Sequence, residues 1–214
     1  MKITVLFPTQ TEASLFHDDS LTTIVSGVGL TATAVATLRA IQEHQPDLLI
    51  MAGIAGMYPH APFQIGDVVL VKSEIESDFG FFTPEGFVHL ANLPLEMDFE
   101  RRHTLRCPWL PDDSPFPSAR SASLNAAMAP FINTRNLDIE NMEGAAFFHV
   151  CLEEKQPFLE LRAISNHVRI GNDQWNMHGS IRAMTEGLRQ LITMLRTSER
   201  FAALGTPQVF DPPQ

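Results

Sequence analysis

The side chains able to do chemistry in this chain stand at the joints between its elements. The stretch Asp138-Ile139-Glu140-Asn141-Met142-Glu143-Gly144-Ala145-Ala146 opens like a strand, passes through carboxylates and a thioether, and becomes small and apolar enough for a tightly packed helix. In an α/β sheet such corners face the ligand crevice, so Met142 and Glu143 fall where a small polar molecule would bind. The residues alone fit a second role for Glu143, that of a first-turn helix acid favoured by the dipole. Glu12 follows a strand and the polar turn Thr9-Gln10-Thr11, and it fits either a cleft carboxylate or a helix cap. Asn166 closes the run from Pro157. Its planar amide, donor and acceptor together, can read the edge of a heterocycle or simply serve a turn.

These residues need a scaffold, and the apolar runs supply one. Ile3 to Phe7, Thr22 to Ser26 and Asp47 to Ala52 read as strands, with a helix from Leu30 to His44 before the third. That is the βαβ grammar of a largely parallel sheet. The turn Gly27-Val28-Gly29 lets backbone approach a ligand, but it lacks the third glycine and the distant acid of a dinucleotide fingerprint. Gly53-Ile54-Ala55-Gly56 ends the third strand as a second glycine turn. Val68 to Val71 follows with no intervening helix, so it joins through a loop and begins a mixed or more curved part of the sheet. From Ser73 to Pro117 punctuation dominates, with one strand fragment at Gly86 to Ala91, which marks a lid or subunit contact. A strand at Ser118 to Ser123, a short helix after it, the strand to Asn166, a loop carrying Arg169, Asn172, Asp173 and Trp175, and a closing helix from Met177 to Leu195 complete the set. Residues 198–214, with three prolines after Thr206, read as a flexible tail. No linker or repeat divides the chain, so residues 1–214 are expected to form a single α/β domain, a twisted mixed sheet flanked by helices.

Composition excludes several classes of partner. With 214 residues, 44% hydrophobic, the chain can bury a full core. A formal net charge of −10 and no basic run leave no footprint for nucleic acid or an anionic membrane surface. No segment approaches the run of about 18 apolar residues that a membrane span needs, and the N-terminal run is too short for a signal peptide. A cytoplasmic protein is therefore expected. Cys107 and Cys151 lie far apart and read as reduced, buried thiols. The eight histidines form no metal-ligand spacing, so no metal is expected.

Five stretches, in order, carry a resemblance: Ser26-Gly27-Val28-Gly29, Ala52-Gly53-Ile54-Ala55-Gly56, Ile65-Gly66-Asp67-Val68-Val69, Asn141-Met142-Glu143-Gly144-Ala145-Ala146 and Arg162-Ala163-Ile164-Ser165-Asn166. Over roughly residues 1–195 the chain resembles the purine nucleoside phosphorylase and nucleosidase superfamily. Within it the Gly-Ile-Ala-Gly turn, the Met-Glu-Gly-Ala-Ala-Phe helix start and Ile-Ser-Asn followed by Trp175 are similar to the futalosine hydrolases of the alternative menaquinone pathway. The resemblance implies a homo-oligomer, a dimer being favoured, a small nucleoside substrate and no cofactor. It places Glu12 where related nucleosidases keep the glutamate that deprotonates water. Met142 matches the methionine packed on ribose, and Glu143 the glutamate on its hydroxyls. Asn166 stands where adenine-directed relatives keep an aspartate, and Gly53 and Ile54 fall in the substrate-binding turn. Two departures are Asn141, where methylthioadenosine nucleosidases have a glutamate that Glu140 misses by one, and Ile54, where many relatives have a small polar residue.

The implied reaction is hydrolysis of the N-ribosidic bond of futalosine, releasing hypoxanthine. Its transition state has oxocarbenium character, so charge must be stabilised at the ribose, the base helped to leave and water delivered. Glu143, Asn166 and Glu12 fit these tasks in turn. Phosphorolysis would need a cationic pocket, yet before Lys72 the chain offers only Lys2 and Arg39. The alternatives are a methylthioadenosine/S-adenosylhomocysteine or aminodeoxyfutalosine nucleosidase, a phosphorylase drawing on Arg162, Arg169 or a neighbouring subunit, and a nucleoside-binding protein without catalysis.

Overall fold

The computed structural model describes residues 1–93, 104–171 and 174–202. In chain order the elements are β1 (Ile3–Phe7), α1 (Gln10–Ala13), β2 (Thr22–Val25), α2 (Leu30–His44), β3 (Leu48–Met57), β4 (Val68–Glu76), β5 (Gly80–Thr83) and β6 (Gly86–His89). They continue with β7 (Leu105–Arg106), β8 (Ser118–Ser123), β9 (Ile139–Asn141), α3 (Gly144–Glu153), β10 (Phe158–His167), α4 (Met177–Thr197) and α5 (Glu199–Ala202).

The expected βαβ unit is present: β1 lies between β2 and β3, parallel to both. β3 and β10 are entirely or almost entirely buried, as their near-continuous apolar runs require of strands covered on both faces. The mixed character also appears where it was expected, since β4 runs antiparallel to β10. Beyond that point the sheet closes on itself. β3 pairs with β10, β10 with β4, β4 with β8, β8 with β9, and β9 returns antiparallel to the end of β3. Irregularities in β4 between Val71 and Ser73 and in β10 between Ile164 and Asn166 supply the bend that closure demands. Helix α4 presents Ile181, Met184, Leu188, Leu191 and Leu195 to the core at helical spacing and packs over β10 and β3. Helix α3 packs against α2, β4 and β8. Cys107 and Cys151 are free and buried.

Several boundaries differ from the sequence reading. Gly53-Ile54-Ala55-Gly56 is not a turn, for β3 runs straight through it to Met57. The glycines there answer a need for space, described below, rather than for a bend. No helix follows β8; residues 124–138 form turns and loop. The Ser73–Pro117 segment is more regular than its prolines suggested, with β4 extending to Glu76 and the β5–β6 hairpin following. Residues 94–103 of that segment lie outside the described residues. At the end, α4 reaches Thr197 and α5 follows at once, with Phe201 buried in the core. An aromatic ring that can be buried outweighs the fraying expected of a terminus. The remainder of the expected tail, 203–214, lies outside the described residues.

Candidate active site

Glu12 is folded back by its own helix start. Thr9 caps α1: its Oγ1 accepts from the Glu12 N–H at 3.1 Å and donates to Glu12 Oε2 at 2.6 Å. The other carboxylate oxygen accepts the Ile54 N–H at 3.0 Å, which ties the end of β1 to β3. Only 4% of Glu12 is exposed. Burial pushes its pKa above the usual glutamate value, while the bonds from Thr9 and Ile54 and the charge of Arg162 pull the other way and Glu143 adds to the rise. Glu12 is thus a buried cleft carboxylate held by the cap residue Thr9 rather than a cap itself.

Glu143 stands at the N-cap position, one residue before α3, but its side chain does not cap the helix. Asn141 does that instead: its Oδ1 accepts the N–H groups of Glu143 at 2.8 Å and Gly144 at 2.7 Å, and Ser123 Oγ takes that of Ala145 at 2.7 Å. The Glu143 carboxylate is free to turn elsewhere. It accepts from the Gly29 N–H at 3.3 Å and from Arg162 Nη1 at 3.1 Å. Between the two roles open to Glu143, the first-turn acid is therefore the weaker. Gly29 has φ +96°, a conformation rarely adopted with a side chain, so the glycine turn does present backbone, to this carboxylate.

Arg162, fully buried on β10, ties these residues together. Besides Glu143, its Nε donates to Glu160 Oε1 at 2.7 Å, Nη2 to Asn141 Oδ1 at 3.1 Å and Nη1 to the Ile54 carbonyl at 3.3 Å. Buried Glu74 lies against the same cluster and accepts from Asn141 Nδ2 at 2.6 Å and Ser123 Oγ at 2.8 Å. Burial, then the neighbouring charge of Glu160, pushes Glu74 well above the usual carboxylate range. Burial likewise raises Glu160, against the opposing pull of Arg162. A single guanidinium faces several carboxylates here, so its positive charge is already spoken for, and Arg162 offers nothing to a phosphate. Arg169 and Arg39, the other cations considered for that role, are exposed.

Gly53 makes the cluster possible. A Cβ at this position would meet Arg162 Nη1 at 2.5 Å and Glu12 Oε1 at 3.1 Å. It does not line the cleft, contrary to the substrate-binding role expected of it; Ile54 does. Gly144 serves the same end, since a Cβ there would collide with Glu74 and Glu160.

Asn166 follows the bulged Ser165 on β10. Ser165 Oγ donates to Asn166 Oδ1 at 2.8 Å, and Asn166 Nδ2 donates to the His167 carbonyl at 3.2 Å, which leaves a second amide N–H uncommitted among the described residues. These bonds fix which end of the amide is the donor. A cleft of about 180 Å³ opens where the elements meet, and Glu12, Ile54, Met142, Glu143, Asn166 and Trp175 all line it. The side chains read from the sequence as catalytic therefore converge. Asn172 and Asp173 of the neighbouring loop lie outside the described residues.

Sequence reasoning missed the roles of Asn141, Glu74 and Glu160, and it named Arg162 only as an anion site for the phosphorylase alternative. A signal existed: in Leu159-Glu160-Leu161-Arg162-Ala163 two opposite charges alternate with apolar residues on a strand otherwise apolar on both faces. Such charges must pair internally.

Comparison with known proteins agrees with this fold. The family model described as the phosphorylase superfamily matches residues 9–197. A futalosine hydrolase from Thermus thermophilus is 30% identical over 185 residues, covering 78% of this chain and 79% of that protein. Among solved structures, an MTA/SAH nucleosidase superposes with a TM-score of 0.73 at 19% identity, covering 92% of this chain and 96% of the other. The futalosine hydrolase of Helicobacter pylori gives 0.72 at 15% identity, covering 90% and 97%. At such identities the two structures speak for the fold alone.

Proposed function

The chain belongs to the phosphorylase superfamily and, within it, to the futalosine hydrolases, and from that membership we propose that it hydrolyses the N-ribosidic bond of futalosine, releasing hypoxanthine and dehypoxanthine futalosine in menaquinone biosynthesis. The observation that carries the reading is the convergence of two buried carboxylates, Glu12 and Glu143, and the Asn166 amide on one cleft.

In this reading Glu143 receives the ribose hydroxyls, with Met142 packed beside the sugar. Its pairing to Arg162 and Gly29 fixes the carboxylate before substrate arrives, and such preorganisation costs nothing when charge develops on the ring. Glu12 takes the proton of the attacking water. Its burial-raised pKa makes it a stronger base than an ordinary glutamate, the direction that general-base catalysis near neutral pH favours. Asn166 donates its uncommitted N–H toward N7 and O6 of the leaving base, and an amide does so at any pH. Water is preferred over phosphate as nucleophile because Arg162 is engaged by Glu160 and Glu143.

The fold is shared with an MTA/SAH nucleosidase, so the 6-amino nucleosides are the competing substrates. Measuring base release from futalosine, aminodeoxyfutalosine, inosine and methylthioadenosine, each with and without phosphate, decides among them. Hypoxanthine from futalosine without phosphate is the expected result. Adenine as the main product, or a phosphate requirement, would refute it.

The working form in this reading is a cytoplasmic homo-oligomer, most simply a dimer. Reduced, buried Cys107 and Cys151 suit a reducing compartment. The exposed Val25, Val28 and Val35 beside α2, and Phe81 and Phe82 on the β5–β6 hairpin, are the apolar surface that self-association would cover. A sedimentation mass of one chain would remove this part of the reading.

A further inference from the structure

Glu12 is held by bonds that its helix does not need. Thr9, Gln10, Thr11 and Glu12 have the spacing of a capping box, in which the glutamate reaches back to the backbone N–H of the capping residue. Here the carboxylate goes instead to the Thr9 hydroxyl and, across to β3, to the Ile54 N–H. Helix α1 is a single turn of four residues, which gains little from a cap in its own right. The bonds therefore serve the carboxylate rather than the helix.

The part played by the hydroxyl is forced. An amide N–H only donates, so Thr9 Oγ1 accepts from the Glu12 N–H at 3.1 Å. An ionised carboxylate only accepts, so the one hydroxyl proton is committed to Oε2 at 2.6 Å. The two bonds close a ring between residues 9 and 12 and make the carboxylate oxygens unlike. Oε1 is turned inward: it takes the Ile54 N–H and lies 3.1 Å from where a Cβ on Gly53 would stand, beside Arg162. Oε2 is turned to half-buried Thr9, which lines the cleft. One of its lone pairs goes to the hydroxyl, and the second is open among the described residues. Ile54 also lines the cleft, but its side chain has no donor to offer. The charged groups acting on Glu12 are Arg162 on β10 and Glu143 before α3, which oppose one another, and Glu140 on β9 lines the same cleft.

We propose that Thr9 is a positioning residue for the hydrolytic step: its hydroxyl holds Glu12 so that Oε2 receives the proton of the attacking water while Oε1 stays anchored to β3. This rests on the reading that Glu12 takes that proton. In the step itself a water O–H bond breaks and its proton passes to Oε2. The water oxygen bonds to the anomeric carbon as the C–N bond breaks, and the base departs with the bonding pair. Thr9 neither gains nor loses a proton. Burial raises the Glu12 pKa and the Thr9 bond is foremost among the effects that lower it, so removing the hydroxyl takes a stabiliser from the charged form.

The pH profile of kcat/KM tests this, for wild type, Thr9→Val, Thr9→Ser, Thr9→Asp and Glu12→Gln, on futalosine or whichever of the four nucleosides named above is turned over fastest. Valine keeps the shape of threonine and loses both cap and donor. Serine keeps both. Aspartate keeps the cap, being among the strongest capping residues, but once ionised it cannot donate. The acid limb should rise by about 1–2 pH units in Thr9→Val, the equivalent of one hydrogen bond to a charged group, and at least as far in Thr9→Asp. It should return to the wild-type position in Thr9→Ser. Were Thr9 only a cap, Thr9→Asp would keep the wild-type profile and Thr9→Val would lose rate equally at every pH. Either result overturns the inference and leaves the hydrolase reading standing. An acid limb that survives in Glu12→Gln overturns it together with the role of Glu12 as base. Wild type that releases no base from any of the nucleosides overturns the functional reading as well. Should Thr9→Val fail to fold, the serine and aspartate variants still decide, because only the first of them can donate.

Discussion

Replacing Arg162 by methionine tests the electrostatic architecture of the site most directly. The side chains are similar in length, so the change removes charge and donors with little loss of volume. Five bonds disappear: those to Glu160, Glu143, Asn141, the Ile54 carbonyl and Met51 Sδ. Glu160 suffers most, because its Oε2 has no hydrogen-bond partner among the described residues and Oε1 would lose its bond from the guanidinium. Breaking a buried ion pair from one side typically costs about 3–5 kcal/mol, and at about 2–4 °C per kcal/mol for a domain of this size the melting temperature should fall by roughly 6–20 °C.

The pH dependence separates this charge effect from a packing defect. The folded pKa of Glu160 is already raised by burial and held down in part by Arg162. Without the guanidinium it rises further. An acid whose folded pKa exceeds its unfolded value binds more protons in the native state, so stability falls as pH climbs from the unfolded value through the folded one. The gap between wild type and Arg162→Met should therefore widen from pH 5 to pH 8 in urea titrations. The double variant Arg162→Met/Glu160→Gln should recover part of the loss, since it removes the stranded charge with the cation. A gap below about 1 kcal/mol, against the cost expected of a broken buried pair, or one constant with pH, would refute the assignment of Arg162 as the balancing charge of the cluster.

Three further outcomes can be checked independently. The acid limb of kcat/KM should lie above the ordinary glutamate value, because Glu12 must be deprotonated to act and burial raises its pKa; Glu12→Gln should abolish that limb and cost about 10²–10⁴-fold in turnover, whereas near-normal rates would remove Glu12 from the mechanism. Gly53→Ala should lower stability by roughly 1–3 kcal/mol in denaturant titration by forcing Arg162 and Glu12 apart, and an unchanged midpoint would contradict the close approach seen there. Asn166→Asp should shift the ratio of 6-oxo to 6-amino nucleoside turnover toward the amino substrates, and a constant ratio would argue against base reading at this position.

What the sequence disclosed and what it hid divide along a physical line. Apolar periodicity exposes anything decided by burial of a face, so β1, α2, β10 and α4 were legible to within a few residues, whereas the grouping of Glu12, Glu143 and Asn166 in one site came only from the resemblance, each having a second role by its residue type alone. Closure of the sheet was not legible, because it depends on which edges of β9 and β10 meet β3, and no local pattern encodes that pairing. Glycine was the main source of error for the same reason. Gly53 and Gly56 read as turn punctuation, but each exists because a side chain from another strand needs its space: Arg162 in one case, Asn166 in the other. The buried charges follow suit. Glu160 and Arg162 could be seen as mutual partners from their spacing, but Glu74 and Asn141 reach the cluster from distant parts of the chain and only the closed sheet brings them there. The glutamate that marks this chain off from the methylthioadenosine nucleosidase pattern, Glu140 in place of one at 141, takes its meaning from the same closure. One residue's displacement along β9 moves a carboxylate from the Arg162 side of the sheet to the Gly56 side, because successive strand residues face opposite ways. The vacated position goes to Asn141, whose Oδ1 caps α3 and accepts from Arg162 while its Nδ2 donates to Glu74, a donation that a carboxylate at this position could not make.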